Sequence, residues 1–598
     1  MPTRERIAAL RALMADHDIA AYYVPSTDPH MSEYLPDCWK RRAWVSGFTG
    51  SAGDLLVGRE EAGLWTDGRY FLQGELELSG SGIELMRLGE PKVPSKIEWL
   101  ADRLRAGEAL GVDPAVIPVK DAEEFESALA EHDIAVRYIE RNLVDELWQD
   151  RPQPGTAPIR IHQTKYAGET VAAKLGRLRR AMAEEGCRAH VLVNLDAIAW
   201  LFNIRSEDIL YTPVVISYAV VTDTDATLYV DPRKVMRAVE TYLGRHARVK
   251  AYEAIWDDLP ALGEQGARVW LDPGTTNRRV LEALGSADVY RGMSPVTAFK
   301  AVKNPVQIKG ITAAHARDGL AMVKFLRWLE EAVPAGGVTE LSAARRLREF
   351  REEDPLFEDN SFTTISGYAG NGAIIHYSAD ARSDASLKPR GLYLIDSGGQ
   401  YQDGTTDITR TVCLGRPTRR ETECFTRVLM GLIDCTTTPF PAGTPGYRQE
   451  MFARRHLWLL GLDYNHGTGH GVGQYLGVHE GPHALKNIPT PPLVAGNLLS
   501  IEPGYYEPGK FGIRIENLAF VERDERRTNA DKTWYIFSTV TLCPIDRRLI
   551  DVGLMTDDHV AWVNGYHKRV YRELGPRLDR QHRAWLKQAT QPLMNIPD

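Results

Sequence analysis

The stretch LRALMADHDIAAYYVPSTD, beginning at Leu10, has a counterpart in LRRAMAEEGCRAHVLVNLD, beginning at Leu178. Each reads as an amphipathic helix, a short turn, a buried apolar strand and a polar stop, at Asp28 in the first and Asp196 in the second. The correspondence continues downstream. DLLVGREEAGLWTDGRYF from Asp54 and AVVTDTDATLYVDPRKV from Ala219 each read as two strands about a polar turn. Letters agree weakly, but the order of elements agrees throughout. Two related α/β domains are therefore expected. With 598 residues the chain is too long for one ordinary core, and roughly three or four domains are expected from length alone.

DRPQPGTAP, residues 150–158, is rich in Pro and Gly and reads as a linker after the first domain. A third region begins near KNPVQIKG, where Asn304 can cap a helix with Pro305 at its first position. Met322, Phe325, Leu326, Leu329 and Val333 then mark one apolar face at helical spacing. PAGG ends that helix, and Thr339 can cap the next. From Ser361 the texture changes to short strands and Gly-rich turns. Residues 392–412, LYLIDSGGQYQDGTTDITRTV, read as two strands joined through Asp403-Gly404. The last domain thus mixes long helices with a largely antiparallel sheet, an α+β domain at the end of an α/β chain.

Apolar residues make up 43% and charged residues 25%, as in ordinary soluble proteins. The net charge is -8, with no long run of either sign, so the basic face that nucleic acid demands is not expected. Six cysteines are scattered without a CxxC pair, which fits a reducing compartment better than a disulfide scaffold. MPTRERIAALRALM carries charges throughout and lacks the apolar run of a secretory signal. No run of 18 apolar residues exists to span a membrane. A cytoplasmic protein is the default expectation.

Residues 465–483, NHGTGHGVGQYLGVHEGPH, hold four histidines, His466, His470, His479 and His483, and end in a match to the zinc-protease pattern HExxH. That pattern works only on a helix, which brings both histidines to one face. Here its middle residues are Gly481-Pro482. Proline lacks an N–H and disfavours helix at the residue before it, so the pattern is expected to be accidental.

Candidate metal ligands, His479 in GVHEG among them, also stand at strand ends beside glycines, where side chains can converge. Asp396 ends LYLID, and Asp407 lies on the returning strand of the same hairpin. His470 sits in GTGHGVG, Glu502 in LLSIEPGYY and Glu516 in FGIRIENL. Burying an unpaired carboxylate is costly, and four of them with histidines in one short span call for a partner. Asp396 and Asp407, then His470, then Glu502 in IEPG and Glu516 in RIEN, resemble the five metal ligands of the pita-bread metallopeptidases, the family of aminopeptidase P, prolidase and methionine aminopeptidase. SEYLPDCWKRRAWVSGFTGSAG, LWTDGRYFLQ, NGAIIHYSA and WLKQATQPL extend the likeness to the long, three-domain type of aminopeptidase P, over essentially the whole chain.

The resemblance implies two creatinase-like domains, residues 1–155 and 156–302, and a pita-bread catalytic domain with a C-terminal extension, residues 303–598. It implies two divalent metal ions, Mn²⁺ above all, with Zn²⁺ or Co²⁺ possible on the same ligands. The mostly oxygen donor set suits harder ions, and four carboxylates can balance two dications roughly 3.5–4 Å apart. A water shared by the metals is then the nucleophile toward an amide carbonyl. By resemblance Glu502 is both ligand and general base, His376 contacts substrate, His479 steadies the oxyanion, and His466 stands behind the metals. Arg514 would pair with ligand carboxylates and help proton relay, Tyr506 would line the proline pocket, and Glu33 would approach the free amine. His483 is expected to be structural.

The implied activity is release of the first residue from peptides with proline second, by a homodimer without nucleic-acid or membrane partners. A prolidase limited to Xaa-Pro dipeptides is the nearest alternative. A non-catalytic binding protein on the same fold, and metal-free creatinase-type hydrolysis, are others, which the intact ligand set disfavours.

Overall fold

The computed structural model describes residues 1–593. It divides into two compact units, residues 1–164 with 169–297, and residues 165–168 with 298 onward.

The first unit holds the repeat. Helix α1 (Thr3–Asp16) leads into strand β1 (Ala21–Val24), followed by β2 (Asp54–Gly58), β3 (Ala62–Thr66), β4 (Glu84–Arg87), β5 (Ala109–Val112) and β6 (Ala135–Tyr138). Helix α2 (Val171–Glu184) leads into β7 (Ala189–Leu192), then β8 (Ser217–Thr222), β9 (Ala226–Val230), β10 (Arg248–Lys250), β11 (Arg268–Leu271) and β12 (Asp288–Arg291). The sheet orders are β4-β3-β2-β1-β5-β6 and β10-β9-β8-β7-β11-β12. Strand directions match as well. The hairpins β2–β3 and β8–β9 are antiparallel, and the outer strands pair in parallel. Central strands are buried on both faces, which is why β1 and β7 read as continuous apolar runs.

The copies differ where their strands end. Asp28 accepts hydrogen bonds from the His30 and Ser32 amides in a turn. Asp196 instead lies inside a short helix, Leu195–Leu201, capped by the Asn194 side chain. So Asp196 is not the stop that the sequence suggests; Asn194 is. His30 binds the second copy: Nδ1–H donates to the Val193 carbonyl at 2.9 Å, and Nε2 lies 2.8 Å from the Tyr252 hydroxyl. Residues 151–159 carry no secondary structure, in keeping with a linker.

In the second unit, α3 (Pro305–Ala335) begins where the sequence places it. The Asn304 side chain accepts from the Val306 and Gln307 amides, and Gln307 returns a bond to the Asn304 amide. Its apolar stripe, Met322 to Val333, is buried against α4 (Glu340–Arg351), which Thr339 caps. Strands β13 (Ile365–Tyr368), β14 (Leu392–Ser397) and β15 (Ile408–Cys413) form one antiparallel sheet. Helices α5 (Arg419–Thr437) and α6 (Gly446–Trp458) precede the short pair β16 (Gly469–His470) and β17 (Ala484–Leu485). Then follow β18 (Leu498–Ile501), β19 (Gly504–Glu507), β20 (Phe511–Arg514), β21 (Asn517–Arg523) and helix α7 (Asp557–Leu574).

One hairpin detail departs from expectation. Tyr401 pairs with Gly404, so the loop is Gln402-Asp403 and Gly404 already belongs to the returning strand. Gly404 is needed for space: a Cβ there would stand 3.0 Å from the Cα of Ile311. Among the described residues all six cysteines are free, and no helix is long and apolar enough to cross a membrane.

Candidate active site

Strands of several sheets in the second unit bring the five expected ligands together. Asp396 sits one residue before the end of β14, in register with Thr409 on β15. Asp407 does not lie on the returning strand itself but immediately before it. The Glu516 amide donates to the Thr409 carbonyl at 3.1 Å, fixing the turn after β20 against this sheet. Glu502 follows β18, and its amide donates to the Thr468 carbonyl at 2.7 Å. His470 receives its placement from the same strand, its amide donating to the Ser500 hydroxyl at 3.0 Å. The flanking glycines permit this closeness. A Cβ at Gly469 would stand 1.9 Å from the Ser500 carbonyl oxygen, and one at Gly471 2.1 Å from that of Glu480.

His470 Nδ1–H donates to the Gly471 carbonyl at 3.0 Å, which leaves Nε2 with a bare lone pair. That lone pair faces Asp407 Oδ2 and Glu502 Oε1, each at 3.4 Å. Three acceptors pointing at one another repel unless a cation lies between them. The spacing also suits one: two donors about 2.1 Å from a tetrahedral ion stand about 3.4 Å apart. Donor atoms of Asp407, His470 and Glu516 all lie within 4.8 Å of one another. Asp396 Oδ1 and Glu516 Oε1 are buried without a hydrogen-bond partner among the described residues. These residues therefore fit divalent metal.

Electrostatics agree. Burial pushes the carboxyls of Asp407 and Glu516 well above the usual range, and neighbouring carboxylates push them further; Glu502 is raised for the same leading reason. Arg514 is the cation among them, 2.6 Å from Asp396 Oδ2 and 4.0 Å from Glu502 Oε2. Burial opposes its charge, but Tyr506, Asp396 and Glu502 outweigh burial and hold it protonated.

Arg514 also starts a directed chain. Its Nη1–H donates to the Tyr506 hydroxyl at 2.6 Å, and that hydroxyl lies 2.9 Å from His466 Nε2. His466 Nδ1–H donates to the Gly467 carbonyl at 2.8 Å, so Nε2 accepts from Tyr506. Burial raises the phenol to about 12, which keeps it a donor. Tyr506 and His466 thus stand behind Arg514 and Asp396.

The His479 ring packs edge-on to His470, with centroids 4.2 Å apart. His376 is half-buried in a turn, next to Ile375, whose carbonyl accepts from Arg514 Nη2 at 3.4 Å. Glu33 is exposed in the first unit, between β1 and β2. Residues 480–483 form bends rather than helix, so HEGPH is not a zinc-protease site, and the His483 carbonyl accepts from the Gly471 amide. Sequence reasoning missed Thr409, whose hydroxyl receives from Arg514 Nε at 3.3 Å and donates to Glu516 Oε2 at 2.9 Å. It lies inside an ordinary strand pattern, and no sequence signal marks it.

A second cluster, Asp434, His456 and His559, also gathers ligand-type atoms. Its distances are those of hydrogen bonds. His456 Nε2 lies 2.7 Å from Asp434 Oδ2, and His559 Nε2 lies 2.9 Å from Oδ1. The Thr556 amide donates to His559 Nδ1 at 3.2 Å, so the ring proton sits on Nε2. Burial raises Asp434, but the two imidazole bonds outweigh it and hold the carboxyl below the usual range. This cluster ties α5, α6 and α7 together without a metal.

Comparisons with known proteins agree with this geometry. Family models described as creatinase/prolidase N-terminal domain match residues 6–139 and 150–307. Metallopeptidase family M24 matches residues 309–523, and the C-terminal region of peptidase M24 matches 533–593. Aminopeptidase P2 of Arabidopsis thaliana is 42% identical over 98% of this chain and 88% of its own. A probable Xaa-Pro aminopeptidase P of Aspergillus fumigatus is 41% identical over 99% of this chain and 93% of its own. The crystal structure of an X-prolyl aminopeptidase from Caenorhabditis elegans, described as a cytosolic enzyme with a di-nuclear active site, superposes with a TM-score of 0.95 at 33% identity, covering 99% of this chain and all of that one. By full-length identity and matched domains, the chain belongs to metallopeptidase family M24, in the group of the aminopeptidases P.

Proposed function

We propose that the protein is a Xaa-Pro aminopeptidase, a metallohydrolase that removes the first residue of peptides with proline second. The observation that carries this reading is the bare Nε2 of His470 facing Asp407 and Glu502 at 3.4 Å, in a chain that matches aminopeptidases P from end to end.

Asp396, Asp407, His470, Glu502 and Glu516 would hold two divalent ions. We assign Mn²⁺, since four carboxylates and one imidazole form an oxygen-rich set; Zn²⁺ and Co²⁺ suit the same ligands. When bound, the ions supply Lewis acidity toward water and toward the amide carbonyl. The chain's own residues do the rest. Glu502 takes the proton from the attacking water, its Oε1 steadied by the Ser500 hydroxyl at 3.3 Å. His479 donates to the developing oxyanion, beside His470. His376 contacts the substrate side, while Tyr506 backs the site from behind the ligands, and the bond before proline needs a dedicated pocket because a tertiary amide offers no N–H. The Arg514–Tyr506–His466 chain sets a guanidinium against Asp396 and orients it by hydrogen bonds that all run in one direction.

Three domains, 1–155, 156–302 and 303–598, and a cytoplasmic location complete the reading; the Caenorhabditis elegans relative is a cytosolic enzyme. A homodimer is supported by Tyr447, Met451 and Trp458, which expose apolar surface on one face of α6 beside the exposed Leu459.

Metal analysis and hydrolysis of paired Xaa-Pro and Xaa-Pro-Yaa substrates test the proposal. Two metal ions per chain and cleavage of the tripeptide are expected. Cleavage of the dipeptide alone would make the protein a prolidase.

A further inference from the structure

The glutamate of HEGPH has its own partners. Glu480 is buried, its side chain 3% exposed, between two lysines that are equally buried. Lys300 Nζ lies 3.2 Å from Oε2, and Lys303 Nζ donates to Oε1. Lys303 also donates to the Lys300 carbonyl at 3.0 Å, and its own amide donates to the Gly496 carbonyl at 2.9 Å. Lys303, in the segment leading into α3, is therefore anchored to the turn before β18 and to Lys300 in the short helix Pro295–Ala301. Three buried charges are costly, and such a group holds one geometry: Glu480 is the single anion between two cations, so its loss leaves both uncompensated.

The geometry held is that of His479. The Glu480 amide donates to the Gly471 carbonyl at 2.8 Å, and the Gly471 amide to the His483 carbonyl at 3.0 Å. One backbone bond thus fastens the residue after His479 to the residue after His470, and the next fastens that same glycine to His483. Those bonds alone join two short loops. The ionic group also joins the His479 loop to the short helix Pro295–Ala301 and to the segment that leads from it into α3.

We propose that Lys300, Lys303 and Glu480 form a buried ionic clamp that positions His479 beside His470, so that Glu480 is a positioning residue for turnover. Its effect on turnover rests on the aminopeptidase reading, whereas its effect on the loop does not.

Lys300→Met is the first variant, because it leaves Lys303 and Glu480 as a neutral pair and keeps the fold. In metal-free protein, hydrogen exchange followed by mass spectrometry should quicken at least tenfold over residues 470–483 and stay unchanged over β13–β15. In the Mn²⁺-loaded enzyme, kcat on a Xaa-Pro-Yaa peptide should fall ten- to hundredfold, with KM within threefold and two metals retained. Glu480→Gln should act in the same direction, and Glu480→Asp should recover part of the loss. In a His479→Ala background Lys300→Met should cost less than twofold, since the group it positions is gone. Unchanged exchange over 470–483, or losses that simply multiply in the double variant, would overturn the clamp. A wild-type chain that cleaves no Xaa-Pro-Yaa peptide would overturn the functional reading, and the exchange experiment would still decide the clamp.

Discussion

Arg514 Nη2 stands 2.6 Å from Asp396 Oδ2, inside a site crowded with carboxylates. One planar guanidinium serves Asp396, Tyr506 and Thr409 at once, which a single ammonium cannot reproduce. Arg514→Met removes the only permanent cation and leaves Asp396 uncompensated. The metal-free second unit should lose about 3–5 kcal/mol, read as a lowered calorimetric transition. Arg514→Lys should restore part of that stability and little of kcat. Full activity in the lysine variant would refute the role of the fork.

Asp407 offers one oxygen to the space in front of His470. Asp407→Asn keeps the shape and removes the charge. Metal analysis should find fewer than two ions per chain, and hydrolysis of a Xaa-Pro-Yaa peptide should fall by more than the roughly 100-fold that loss of a supporting hydrogen bond costs. Two bound ions and ordinary turnover in this variant would remove the dinuclear assignment.

Much of this was legible in the chain because local chemistry and global fold agree there. Asn304-Pro305 and Thr339 cap helices because Asn and Thr oxygens meet free amides, whatever lies far away. The repeat was legible because both sheets bury their central strands and so repeat the same apolar runs. Asp403-Gly404 misled because glycine has two uses, and here it admits Ile311 rather than turning the chain. Lys303 and Glu480, 177 residues apart, carry no mutual signal in one sequence. Resemblance supplied the ligands, His470 among them, and the geometry puts His470 in front of Asp407 and Glu502.

The first unit should be sensitive to acid through His30. Burial lowers its imidazole to about 3, and both ring nitrogens are engaged while neutral. Unfolded, the ring binds a proton near pH 6.5, so between those values the unfolded chain holds more protons. Stability is whole above about pH 6.5 and drains as pH falls toward 3, by about 3 kcal/mol at pH 4 from this residue. His190, buried and lowered to about 4, adds to the same slope. His30→Gln should flatten the fall of the first unit's melting temperature between pH 6.5 and 4. An unchanged slope would mean that His30 titrates normally in the fold.

His483 separates the two metal readings of HEGPH. A zinc-protease site would need His479 and His483 as ligands and Glu480 as base. Instead Glu480 is held by Lys300 and Lys303, and the His483 carbonyl is bound to the Gly471 amide. Burial, then the Lys303 charge, lowers the His483 imidazole to about 4, so it packs as a neutral ring. His483→Leu should keep both metals and turnover within about threefold, at a stability cost of about 1–3 kcal/mol. His470→Ala should lose metal. Metal lost from the His483 variant and kept by the His470 variant would reverse the assignment, because the two residues compete for the same role and only one faces Asp407.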